Sequence, residues 1–122
     1  MSAAARIDRG PESDGAQVGS NVELRCLLHH RSCSKVVWTR TDLSGSSTVL
    51  YAADAMLESY NDRFSVDVTS RRRECTLHIT GLQLSDAGIY TCTDAVRGDG
   101  PQQKKSAALT VAGKYLVWNI LS

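Results

Sequence analysis

The apolar residues of this 122-residue chain recur at every second position in short runs, and that period limits the fold more than any other feature. Val22, Leu24 and Cys26 alternate with Asn21, Glu23 and Arg25; Val36 and Trp38 alternate with Val37 and Thr39. Phe64, Val66 and Val68 do the same, followed by Cys75, Leu77 and Ile79, then Tyr90 and Cys92, and finally Leu109-Thr110-Val111. Successive side chains of an extended strand point to opposite faces, so each run can cover one face of a sheet. No stretch of ten or more residues holds the 3.6-residue period of an amphipathic helix. Gly, Ser, Asp and Asn punctuate the runs, as in Ser44-Gly45-Ser46-Ser47 ahead of Val49-Leu50-Tyr51. With the segment from Ile7 to Val18, about eight strands are expected, and two sheets of such strands must hide their apolar faces against each other.

A formal net charge of +1 gives no bulk attraction to nucleic acid or to an anionic membrane, and no basic stripe runs along the chain. Met1-Ser2-Ala3-Ala4-Ala5 holds no apolar signal core, and no stretch approaches the ~18 apolar residues of a membrane span. Residues 1–5 read as an added start, 6–112 as the domain, and 113–122 as a tail, vector-derived or a linker. The four cysteines, Cys26, Cys33, Cys75 and Cys92, form no metal-type spacing with His29-His30. Their even number and wide spacing fit two disulfides in an oxidising compartment, with three pairings open. Ser, His and Asp occur, but none stands in a nucleophile-elbow or metal-spacing context; His29, His30 and His78 read as loop and strand-surface residues. No catalytic residue, cofactor or metal is expected.

Taken together, the strands resemble the immunoglobulin variable set. Gly19-Ser20-Asn21-Val22-Glu23-Leu24-Arg25-Cys26 is similar to the start of strand B, and Trp38 stands where that family places the core tryptophan of strand C. Asp86-Ala87-Gly88-Ile89-Tyr90-Thr91-Cys92 matches D-x-G-x-Y-x-C, the most specific of the motifs. Arg63-Phe64-Ser65 resembles the start of strand D, and Leu77 and Leu82 fall at core positions. The resemblance covers Ile7 to Val111. It implies an all-β, V-type sandwich of two antiparallel sheets with Greek-key connections. It also implies a Cys26–Cys92 bond packed on Trp38, a tyrosine corner at Tyr90 and an ion pair between Arg63 and Asp86. The roughly twenty residues from Thr41 to Asp62 leave room for strands C′ and C″.

Two departures narrow the resemblance. Gln103-Lys104-Lys105-Ser106 stands where rearranging receptors carry Phe-Gly-x-Gly. A second cysteine pair is implied as well, with Cys33 at the entrance to strand C and Cys75 at the start of strand E, toward one pole of the sandwich. Cysteines in these places are similar to those of non-rearranging innate immune-type receptors, and T-cell co-receptor chains are further relatives. The function implied is a ligand-binding ectodomain of such a receptor, extracellular, on a type I membrane protein or secreted.

Two surfaces are candidates for recognition. One is the outward face of strands G, F, C and C′, where alternation points Val37, Thr39, Thr41, Thr91 and Thr93 outward, with Leu50 and Tyr51 beside them. The receptor resemblance implies a protein ligand on this face, whose residues read equally as a plain solvated sheet; so threonine-rich a surface implies weak or no self-association. The other is the connection between strands F and G, which carries Arg97-Gly98-Asp99. At a hairpin apex this tripeptide presents a guanidinium and a carboxylate as integrins recognise them, so the alternative function is adhesion, through integrin or homophilically. Asp-Gly and Gly-Pro turn chemistry accounts for the same residues without a partner. Arg71-Arg72-Arg73 reads as a solvated hairpin tip.

Overall fold

In a computed structural model, residues 7–28, 33–52, 55–57, 62–68, 73–94 and 103–113 are described, apart from the side chain of Asp8. Residues 29–32, 71–72, 95–102 and the tail from 114 lie outside them, and with them His29, His30, Arg71, Arg72 and Arg97-Gly98-Asp99.

Among the described residues, eleven strands form two layers: β1 (Ile7–Arg9), β2 (Asp14–Gln17), β3 (Val22–Leu24), β4 (Leu27–Leu28), β5 (Val36–Asp42), β6 (Ser47–Ala52), β7 (Ala55–Met56), β8 (Phe64–Val68), β9 (Cys75–Ile79), β10 (Gly88–Asp94) and β11 (Gln103–Ala112). One layer is a six-stranded sheet ordered β2-β11-β10-β5-β6-β7. The other is the ladder β3-β9-β8, extended by the pair β1-β4, with Leu27 bridged to Glu74 just ahead of β9. β2 runs parallel to β11, while the other strand pairs are antiparallel. In immunoglobulin lettering, β3 and β4 form B, β5 to β7 are C, C′ and C″, β8 and β9 are D and E, and β10 and β11 are F and G. This is the V-type β-sandwich, with C′ and C″ extending the front sheet.

The inward positions of both layers make one core. Trp38, Leu24, Leu77, Ile79, Leu109 and Tyr90 are buried in it. Disulfides join Cys26 to Cys92 with 6.5 Å between Cα atoms, and Cys33 to Cys75 with 5.8 Å. Trp38 is the cross-strand neighbour of Cys92, and its indole nitrogen donates to the Cys75 carbonyl at 3.3 Å. The Cys75 amide in turn donates to the Cys26 carbonyl at 2.9 Å. Each bridge closes a long loop, 66 residues in one case and 42 in the other, worth about 4 kcal/mol apiece in the chain-entropy account.

The opposite end is organised by Asp86, which is 1% exposed. Its carboxylate accepts two hydrogen bonds from the Arg63 guanidinium, at 2.7 and 3.0 Å, and one from the Gln83 amide at 2.8 Å. Arg40 approaches it to 3.8 Å. The Asp86 carbonyl accepts from the Tyr90 hydroxyl at 2.6 Å, which makes the tyrosine corner. Bonding to Asp86 holds the Arg63 proton more tightly than in a free guanidinium. Two residues on, Gly88 lies against the Thr41 carbonyl, where any Cβ would collide with that oxygen. The D-x-G-x-Y-x-C spacing is thus a packing requirement.

Removing the carboxylate at Asp86 strands a part-buried guanidinium and an amide, so Asp86→Ala is expected to cost about 3 kcal/mol in urea melts, well above a surface pair. At the β5–β6 turn, the Asp42 carboxylate accepts from the Ser44 hydroxyl at 2.6 Å and from the Ser44 and Ser46 amides at 3.0 Å each. These bonds, the Ser44 hydroxyl first, hold its pKa below the usual aspartate value. The folded pKa is therefore the lower one: the turn is stabilised above the unfolded-state pKa, and that contribution fades as pH falls through the folded one. A carboxyl-carbon NMR titration should place the Asp42 midpoint below that of an unstructured aspartate, and Ser44→Ala should raise it.

Candidate functional site

The outward side chains of the six-stranded sheet follow from register. Thr93 stands between Val37 and Lys104, Thr91 between Thr39 and Ser106, and Ile89 between Thr41 and Ala108. On the next strand, Thr39 faces Val49 and Thr41 faces Ser47. Val37, Thr39, Thr41, Ser47, Thr91, Thr93, Lys104 and Ser106 line an open concavity of about 400 Å³. Its hydroxyls pair across strands: Thr41 with Ser47 at 2.7 Å, and Thr91 with Ser106 at 2.8 Å. One hydroxyl of each pair donates to the other, whose own proton stays available to a ligand. Thr93 belongs to the face by register yet is only 8% exposed.

Leu50 and Tyr51 do not belong to this face, contrary to the expectation from sequence. They are 0% and 4% exposed and pack in the core. Trp38 pairs with Tyr51, whereas the next residue, Thr39, pairs with Val49, so Leu50 is an extra residue in β6. Such a bulge places two consecutive side chains on one side of the sheet. Val49, 37% exposed, takes the outward place instead, and with Ile89, 42% exposed, it joins Val37 as an apolar side chain of the face. Alternation from Tyr90 and from Leu109 would have found Ile89, Lys104 and Ser106; nothing in the local sequence marks the bulge.

The back sheet differs in character. Glu23 and Ser65 flank His78 across the strands, and the imidazole lies 3.6 Å from the Glu23 carboxylate and 3.8 Å from that of Asp67. Glu23 and Asp67 are exposed. His78 is held between the two carboxylates, one at each ring nitrogen, so the three do not converge on one point, and among the described residues no cluster suited to a metal ion occurs.

At the start of β11, where Phe-Gly-x-Gly is missing, pairing with β10 runs without irregularity from Gly88↔Leu109 to Asp94↔Gln103. The Gln103 side chain accepts a hydrogen bond from the Ile7 amide at 2.6 Å, tying β11 to β1 of the other layer.

The sequence matches the family model described as Immunoglobulin V-set domain over residues 9–112. It is also similar to the rabbit (Oryctolagus cuniculus) Ig kappa chain V region 3368, 30% identical over 83 residues, covering 67% of this chain and 73% of that protein. Domains of this family are generally non-enzymatic binding modules of extracellular, disulfide-bonded proteins. The match across nearly the whole sandwich, with the D-x-G-x-Y-x-C corner and the inter-sheet disulfide on Trp38, shows that the chain belongs to the immunoglobulin V-set family.

Proposed function

We propose that this V-set domain is the ligand-binding ectodomain of a cell-surface immune-type receptor, recognising protein through the face of β11, β10, β5 and β6 and the adjoining connections. The observation that carries the proposal is the contrast between the two outer faces. The back sheet presents Glu23, His78 and Asp67, as a solvated surface does. The front face presents mutually bonded hydroxyls, Val37, Val49 and Ile89, and among the described outward positions of those four strands one charge, Lys104. Interface centres are depleted of charge, and short β-branched side chains lose little rotamer freedom when covered. The absence of Phe-Gly-x-Gly in β11 favours a non-rearranging receptor over an antibody or T-cell-receptor chain.

Fluorescent tetramers of the domain on a panel of leukocyte and epithelial cells test this. Staining should fall by about ten-fold or more with Thr39→Arg or Thr91→Arg, since each puts a long charge into the centre of the face. Staining abolished by Asp99→Glu or by chelation of divalent cations, but unchanged by the face variants, would instead support integrin adhesion through Arg97-Gly98-Asp99.

The same face bears on self-association. With Leu50 and Tyr51 turned inward, its substantial apolar side chains among the described residues are Val37, Val49 and Ile89, little of the desolvated centre that an interface of about 1,600 Å² needs. The domain is therefore expected to sediment as a monomer at about 50 µM, a concentration that reports dimers down to weak affinity. A stable dimer abolished by Val49→Glu or Ile89→Glu would contradict this.

A further inference from the structure

Among the described outward positions of β5, β6, β10 and β11, Lys104 is the one charged side chain. It lies opposite Thr93 on β10, is exposed, and lines the concavity with Thr91, Thr93 and Ser106. Among the described residues no carboxylate pairs with it, and none of the outward positions of β5, β6, β10 and β11 is acidic. Its neighbour Lys105 carries the same charge on the other side of β11, where its side chain lies against Gly10. Lys35 is exposed immediately ahead of β5, at the same end of the sheet, since Val36 faces Asp94 and Asp94 faces Gln103.

The surrounding chemistry selects an acceptor. An ammonium offers donors only, and the Thr91–Ser106 pair has a hydroxyl proton to spare, so a ligand atom seated here is best supplied with lone pairs and negative charge. Among the described residues the face offers no flat aromatic surface on which a sugar ring would stack, because Trp38, Tyr51 and Tyr90 are buried in the core. Resting on the reading of this face as the recognition surface, we infer that Lys104, with the hydroxyls of Thr91, Thr93 and Ser106, is the seat for a carboxylate side chain of an acidic protein ligand. The seat gives the recognition surface a sign: partners presenting a Lys or Arg there would meet the like charge of Lys104 and be disfavoured.

The experiment uses the full 122-residue chain, isotope-labelled, and two blocked hexapeptides as probes, Gly-Ser-Glu-Gly-Ser-Gly and its Glu→Gln twin, each titrated to about 10 mM, a range suited to one charge-assisted contact. The glutamate peptide is expected to shift the amide signals of Thr91, Thr93, Lys104 and Ser106, and the twin to leave them in place. Lys104→Met should weaken this binding by about five-fold or more, and Lys105→Met should leave it unchanged. Equal shifts from both peptides, shifts that persist in Lys104→Met, or no shift at the highest concentration would overturn the inference. Equal losses in the two lysine variants would mark diffuse attraction to a basic end and would overturn it too. Cell staining lost in Thr39→Arg but unaffected by Lys104→Met would remove the carboxylate seat while leaving the recognition face standing.

Discussion

Everything in this domain hangs on the contact of Trp38 with the Cys26–Cys92 disulfide. The bond joins the two layers at their centre, and the indole fills the space beside it as the cross-strand neighbour of Cys92. Trp38 also directs its only side-chain donor to the Cys75 carbonyl, while the Cys75 amide donates to the Cys26 carbonyl, so both bridges and the tryptophan form one connected unit. A buried indole N–H without a partner would be costly, which makes the position of Cys75 as important as its sulfur. The second bridge joins Cys33, in the turn just ahead of β5, to the start of β9, at the pole where β10 ends and β11 begins.

The opposite pole is held by charge. Asp86 gathers Arg63 from the start of the D strand, the Gln83 amide and, through its carbonyl, the Tyr90 hydroxyl. A nearly inaccessible carboxylate is tolerable because three hydrogen bonds satisfy it, two of them from one bidentate guanidinium. Gly88 then lets β10 pass against the Thr41 backbone. One pole is covalent and the other ionic, and the sheet faces between them are left to differ in chemistry without cost to the fold.

That freedom is used unequally. The back sheet carries alternating acid and imidazole, whereas the front sheet carries hydroxyls that satisfy one another. Cross-strand hydroxyl pairs keep the front surface polar enough to stand in water, yet leave each pair able to donate to a ligand. A V-set scaffold of this kind does not itself name a partner; the site chemistry does.

Much of this was legible in the amino-acid order. Two-residue alternation yielded the all-β class and the outward set Val37, Thr39, Thr41, Thr91 and Thr93, because strand side chains alternate without regard to what lies far off in the chain. The motif around Tyr90 carried the resemblance to the immunoglobulin variable set within a single turn and strand, and the length from Thr41 to Asp62 left room for C′ and C″. What tertiary structure alone decided is the content of the face between those strands. Leu50 and Tyr51 read as outward candidates, but a bulge against Trp38 and Thr39 turns both inward and brings Val49 out. Whether β6 pairs straight or with one extra residue depends on how Tyr51 fits beside Trp38 in the core, a contact thirteen positions away that no period along β6 records. The place of Lys104 as the one charge among the described outward positions of this face was likewise invisible, since it emerges only when four strands have assembled side by side.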